Sequence, residues 1–344
     1  MAQVSDLPEE LIETILTHTT TDVVNLYNYG NVCRPWRSVV DKLLASSPPH
    51  LLVHEEGNDI RLLNIFTGDS WVCKIPDFKT GDGQPLRFPR IYSRHGWLAI
   101  KFTHYIFLYN PLSRARIRLP FRLPDHWQRE IKFVLPSKQT NPAPSPIALV
   151  IGKKIMFWKS GDEEWTRLVD IPFGKIRLVD IISYKGGFCA IDYLGNVAQF
   201  EFNPLPRATK IPTAGIGVAF LSLSSIKCLV ESLSADLLMV CRSWEGFFTV
   251  FKLDWETMVW GEITSLGDEA IFIAGGESVC VRAGESTVYK QNCIYFRDRQ
   301  SRADNSEQSR EDFRVYDMAN KTIHRFSHHF PRGFERYSWF CLTT

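Results

Sequence analysis

A chain of 344 residues with formal net charge +2, 44% hydrophobic and 23% charged residues has the composition of an ordinary folded protein, long enough for one small and one large domain. Charge this close to balance gives no reason to propose a nucleic-acid surface. No apolar run is long enough to span a bilayer. The first residues are polar and acidic rather than a basic segment followed by an apolar run, so no secretory leader is expected and an intracellular location, nuclear or cytoplasmic, is.

Residues 5–45 read SDLPEELIETILTHTTTDVVNLYNYGNVCRPWRSVVDKLLA, and the spacing predicts three short amphipathic helices. Pro8 near the first helical position, with Glu9 and Glu10 at the positive end of the dipole, opens the first. Leu7, Leu11 and Ile15 fall four apart with Ile12 and Leu16 beside them, which makes one side apolar. The Thr19-Thr20-Thr21 run ends that helix, and Gly30-Asn31 breaks the second. Trp36, Val39, Val40, Leu43 and Leu44 give the third its spacing of threes and fours. Forty residues in three short helices cannot hide this much apolar surface among themselves. The remainder must meet either the rest of the chain or a partner.

Ser46-Ser47-Pro48-Pro49 marks the change from helix pattern to strand pattern, and a boundary near residue 48 is expected. Beyond it one unit recurs: an aromatic strand, a turn built on Asn, Asp or Ser-Gly, then a second strand. It appears at residues 61–75, 106–119, 154–171, 197–211, 247–263 and 312–326. Further strands are expected between these hairpins, among them 91–100, 178–191, 228–241 and 270–281. A hairpin with one or two more strands, repeated along the chain, is the pattern of propeller blades. Six hairpins predict six blades, with seven as the alternative count and a large sandwich or irregular barrel as the rival fold. Residues 138–146 and the charged stretch 297–311 read as loops outside the blades.

The order and spacing of Leu7-Pro8, Glu10-Leu11, Ile15-Leu16, Leu26, Val32-Cys33 and Trp36-Arg37 resemble the F-box. The segments Gly96-Trp97-Leu98, Asn110-Pro111-Leu112-Ser113, Gly186-Gly187-Phe188 and Val315-Tyr316-Asp317, with the closing Trp339-Phe340, resemble the plant domain of unknown function found after F-boxes (the kelch-like, propeller-type DUF295 family). Adjacent glycines occur only twice, unlike true kelch repeats. The resemblance implies a domain pair, residues 3–47 as F-box and 50–344 as recognition domain. It implies a substrate-recognition subunit of an SCF-type cullin–RING ubiquitin ligase, bound through its adaptor to cullin and RING protein, with an unknown protein as target. Carried onto this chain, the adaptor contact is Leu7, Pro8, Leu11, Ile12, Ile15, Leu16, Leu26, Val32, Cys33 and Trp36. The alternative is a protein-interaction module whose helices serve another partner outside any ligase.

Residue chemistry adds no catalytic reading. No phosphate loop, His-Glu-x-x-His helix or nucleophile elbow is present. Eight scattered cysteines read as reduced core side chains, and His328-His329 as a surface pair rather than co-ligands. Asp254 and Asp317, each following an aromatic strand, read as turn formers rather than acids. No cofactor, metal, membrane or nucleic acid is expected. For the target protein the candidates are the aromatic and basic loop residues Trp127, Arg129, Trp244 and Arg332, residue types frequent at binding hot spots.

Overall fold

The computed structural model describes residues 7–19, 23–54, 59–75, 90–102, 106–120, 131–135, 147–151, 154–159, 161–168, 178–201, 207–214, 216, 224–274, 277–284, 288–299, 311–325 and 337–342. The expected loop 138–146 lies outside them, as does most of 297–311. In chain order, three helices come first: α1 (Glu9–Thr19), α2 (Val23–Tyr29) and α3 (Arg34–Ser46). Twenty-five strands follow among the described residues. They are β1 (His50–His54), β2 (Asp59–Leu63), β3 (Ser70–Lys74), β4 (Arg90–Arg94), β5 (Trp97–Lys101), β6 (Ile106–Tyr109) and β7 (Arg116–Arg118); then β8 (Ile131–Val134), β9 (Ile147–Ile151), β10 (Lys154–Trp158), β11 (Thr166–Arg167), β12 (Leu178–Tyr184), β13 (Gly187–Asp192), β14 (Val197–Glu201) and β15 (Arg207–Ile211). The last ten are β16 (Ser224–Glu231), β17 (Leu237–Ser243), β18 (Phe248–Asp254), β19 (Val259–Ile263), β20 (Glu269–Ala274), β21 (Glu277–Arg282), β22 (Cys293–Arg299), β23 (Glu311–Asp317), β24 (Thr322–Arg325) and β25 (Tyr337–Phe340).

The chain divides into two compact units, Met1–Leu119 with Phe330–Thr344, and Pro120–His329. In the first, β25 from the far end of the chain pairs antiparallel with β1, completing the sheet β25-β1-β2-β3. The second sheet of that unit is β4-β5-β6-β7. Ser93 of β4 donates from its hydroxyl to the Trp339 carbonyl of β25, joining the two sheets. One core runs beneath the helices and both sheets: Ile12, Leu16, Trp36, Val40 and Leu44 cluster with Leu52, Ile60, Leu62, Leu98, Ile100 and Phe340. The surplus apolar surface of the three helices is therefore met in part by the chain itself.

The second unit holds the sheets β8–β11, β12–β15 and β16–β19, each four-stranded and antiparallel. Buried polar groups link four sheets of this unit, those of β8, β12, β16 and β21. The Asp180 carboxylate on β12 pairs with Lys132 of β8 and accepts the Leu229 N–H of β16 at 2.7 Å. The Leu229 carbonyl in turn accepts the Ser278 hydroxyl of β21. A buried carboxylate needs such partners, because an unpaired one is strongly disfavoured.

All six expected hairpins form, but the expectation of six blades, with seven as the alternative, is corrected. Five sheets have the four-stranded antiparallel blade form, so the count of regular blades is five. The sixth hairpin, β23–β24, belongs to a five-stranded sheet of order β21-β20-β22-β23-β24 in which β20 and β22 run parallel. Counting hairpins could not see this. The sheet arises because β20–β21 closes first and the chain then crosses back to lay β22 alongside β20, a connection that leaves no hairpin signal.

The hairpin turns explain the repeat. The Asp254 carboxylate accepts the N–H groups of Glu256 and Thr257 at 2.8 and 3.2 Å. Asp317 accepts those of Ala319 and Asn320 at 2.9 and 3.2 Å. The side-chain carbonyls of Asn64 and Asn110 do the same for the residues two and three ahead. These side chains close turns on their own backbone, which is why Asn or Asp recurs there. At Gly187 a Cβ would lie 2.6 Å from the Phe200 carbonyl oxygen of the neighbouring strand, so only glycine fits.

Candidate adaptor-docking face

Pro8 starts α1 by accepting, through its carbonyl, the N–H groups of Leu11 and Ile12, both at 3.1 Å. From there the helix has two apolar stripes with different fates. Ile12 and Leu16 are fully buried in the core beneath the helices. Leu11, 51% exposed, and Ile15, 38% exposed, project from the other side with exposed Pro8. Leu7 is half-buried against the core.

Two polar contacts fix α1 on α3. Lys42 and Glu9 form an ion pair on the surface, and the Ser38 hydroxyl lies 3.5 Å from the same carboxylate. The hydrogen bond from Lys42, more than its charge, holds the Glu9 carboxyl below the usual range. The pair is solvent-exposed, so it sets geometry rather than stability.

In α2 no residue is fully buried; Leu26 and Tyr27 rest half-buried against the core. Val32, 55% exposed, stands in the turn between α2 and α3. Cys33, half-buried, is the extended residue before α3, and its carbonyl accepts the Arg37 N–H at 3.0 Å. A proline in the first turn, Pro35, suits a position whose N–H would have no helical partner. Trp36 is turned inward, buried, with Tyr29 at 6.0 Å between ring centroids.

The ten residues expected at the adaptor contact thus separate into layers. Pro8, Leu11, Ile15 and Val32 are open to solvent; Leu7, Leu26 and Cys33 are half-covered; Ile12, Leu16 and Trp36 support the lobe from beneath. Leu7, Pro8 and Ile15 are not sealed in the β-rich body. Of the target-protein candidates, Trp244 is described: it stands 74% exposed in the β17–β18 turn, beside half-exposed Phe247. Trp127, Arg129 and Arg332 lie outside the described residues.

Sequence reasoning passed over a second feature of the helical lobe. A cleft of about 430 Å³ opens beside α2, lined by Tyr27, Asn28, Asn31, Leu112, Ser113 and Arg114. The signal that could have found it is the run of arginines after the Asn110 turn: Arg116 and Arg118 share one side of β7, and Arg114 stands in the turn just before it with a positive φ.

Among the described residues no helix is long and apolar enough to cross a membrane. Residues 73–317 match the protein family described as KIB1-4 beta-propeller. Among curated proteins of Arabidopsis thaliana, "F-box protein At4g35733" is 26% identical over 85% of this chain and 88% of its own length. "F-box protein At2g26160" is 26% identical over 86% of this chain and 95% of its own. "Putative F-box protein At5g55150" is 30% identical over 42% of each chain.

Proposed function

The chain belongs to the KIB1-4 beta-propeller family, and from that premise we propose that it is the substrate-recognition subunit of an SCF-type cullin–RING ubiquitin ligase. Its similarity to plant F-box proteins over 85% and 86% of its length supports this reading. The observation that carries it is the exposed apolar face of Pro8, Leu11, Ile15 and Val32, held rigid by Ile12, Leu16 and Trp36 underneath. A face of this kind gains free energy when a partner removes it from water. The adaptor subunit is that partner, and cullin and the RING protein follow through it.

The role is non-catalytic. The chain tethers a target protein near the ubiquitin-loaded enzyme, raising its effective concentration without contributing a reacting group. Trp244, with Phe247 beside it, is an exposed aromatic available to a target on the β-rich part. Adaptor binding by the full chain, measured by calorimetry for wild type and for the double variant Leu7→Ala with Pro8→Ala, tests the proposal. Binding by wild type and its loss in the variant are expected; a wild-type chain that does not bind the adaptor refutes it.

A further inference from the structure

One guanidinium, that of Arg114, lines the cleft beside α2. A second, that of Arg37, contacts two of its lining residues, lying 5.0 Å over the Tyr27 ring and donating to the Asn31 side-chain carbonyl. The basic edge continues along β7. Arg116 and Arg118 sit two apart, opposite Tyr109 and Phe107 of β6. Those two aromatics belong to the core beneath the helices, so this is the side of β7 that faces the helical lobe. Arg114, Arg116 and Arg118 are all exposed.

Among the described residues no carboxylate lines the cleft and none is ion-paired with Arg114 or Arg116. The remaining polar lining, Asn28, Asn31 and Ser113, offers amide and hydroxyl donors. Guanidinium forks beside amide donors suit carboxylates, which can accept two parallel hydrogen bonds. Residues two apart on an extended partner are spaced like residues two apart on β7.

We propose that the Arg116–Arg118 edge of β7, with Arg114 in the adjoining cleft, forms a docking site for an extended acidic peptide segment of a partner protein, with acidic residues at alternate positions. Nucleic acid fits less well. The aromatic ring that lines the cleft, Tyr27, is already covered by Arg37, leaving no platform for a base, and stacking platforms are what sequence-tolerant single-strand sites use. The site shares no lining residue with the apolar docking face, although Asn31 adjoins Val32 in the chain, and it does not rest on the ligase reading.

The test uses the full chain and fluorescence anisotropy with a fluorescein-labelled octapeptide of alternating Glu and Thr. A Gln-for-Glu octapeptide and a single-stranded DNA octanucleotide serve as comparison probes. Wild type is expected to bind the Glu peptide at least tenfold more tightly than either, with affinity falling as salt rises. The double reversal Arg114→Glu with Arg116→Glu is expected to weaken that binding at least tenfold. Reversal of an equal number of exposed charges on another strand, Arg207→Glu with Lys210→Glu, leaves it unchanged. The variant Leu11→Ala with Ile15→Ala also binds the peptide normally, so this proposal and the adaptor reading fail separately. Equal loss in both charge-reversal variants would overturn it, as would tighter binding of the octanucleotide than of the peptide.

Discussion

Truncating Leu16 and Leu11 to alanine, one at a time, should separate the structural layer of α1 from its docking layer. Leu16 is fully buried among α3 and the sheet residues of the first unit. Losing its isobutyl packing leaves a cavity, and the destabilisation expected is about 3 kcal/mol, within the 2–5 typical of such sites. Leu11 is 51% exposed, so half of its transfer free energy is never gained on folding. The same truncation there should cost stability only about 0.5–1 kcal/mol. The order reverses for adaptor binding: the half of Leu11 still in water contributes about 1–1.5 kcal/mol when a partner covers it, roughly a tenfold change in affinity. Urea denaturation, with hydrogen exchange read over Glu9–Thr19 and His50–His54, reports the first quantity, and calorimetry with the adaptor the second. Equal stability loss for the two variants would refute the layered arrangement. Full adaptor affinity in the folded Leu11→Ala variant would refute the assignment of the outer layer.

Two further predictions concern buried titratable groups. His50, at the head of β1, is buried with its Nδ1 lacking a hydrogen-bond partner, and burial lowers its pKa to about 4 despite a hydrogen bond to the Pro48 carbonyl and the nearby Asp69 charge. The native state therefore binds fewer protons than the unfolded chain between pH 6.5 and 4. Stability is complete above pH 6.5 and falls on acidification through this window, by about 3 kcal/mol for a depression of this size. Urea midpoints across the window should fall more steeply for wild type than for His50→Gln, and parallel profiles would contradict the account. Asp180→Asn should cost about 3–5 kcal/mol, since it leaves the Lys132 ammonium without its counter-charge in a largely enclosed site. An unchanged denaturation curve would show that the link joining β8, β12 and β16 carries no weight.

Much of this architecture was legible in the sequence, for identifiable reasons. The Thr19–Thr21 run and Gly30-Asn31 punctuate the helices, and Asn64, Asn110, Asp254 and Asp317 mark turns because their side chains bond their own backbone. What stayed hidden depends on position in space. Ile12 and Ile15 are the same residue type three positions apart, yet one is buried and the other exposed; only the packing of α3 and the sheets decides between them. The five-stranded sheet was equally invisible. The parallel partners β20 and β22 are brought together by a crossover that leaves no hairpin signal. The cleft beside α2 escaped because it draws on residues some 80 positions apart, Tyr27 and Arg114 among them.

The pairing of β25 with β1 has a consequence for how the protein is made. The sheet that underlies the helices lacks one of its four strands until Tyr337–Phe340 have been synthesised, and Phe340 belongs to the same apolar cluster as Ile12 and Trp36. A nascent or prematurely terminated chain therefore carries the docking residues but not the completed foundation on which they stand. Translation must pass Phe340 before the earliest helices acquire their finished support.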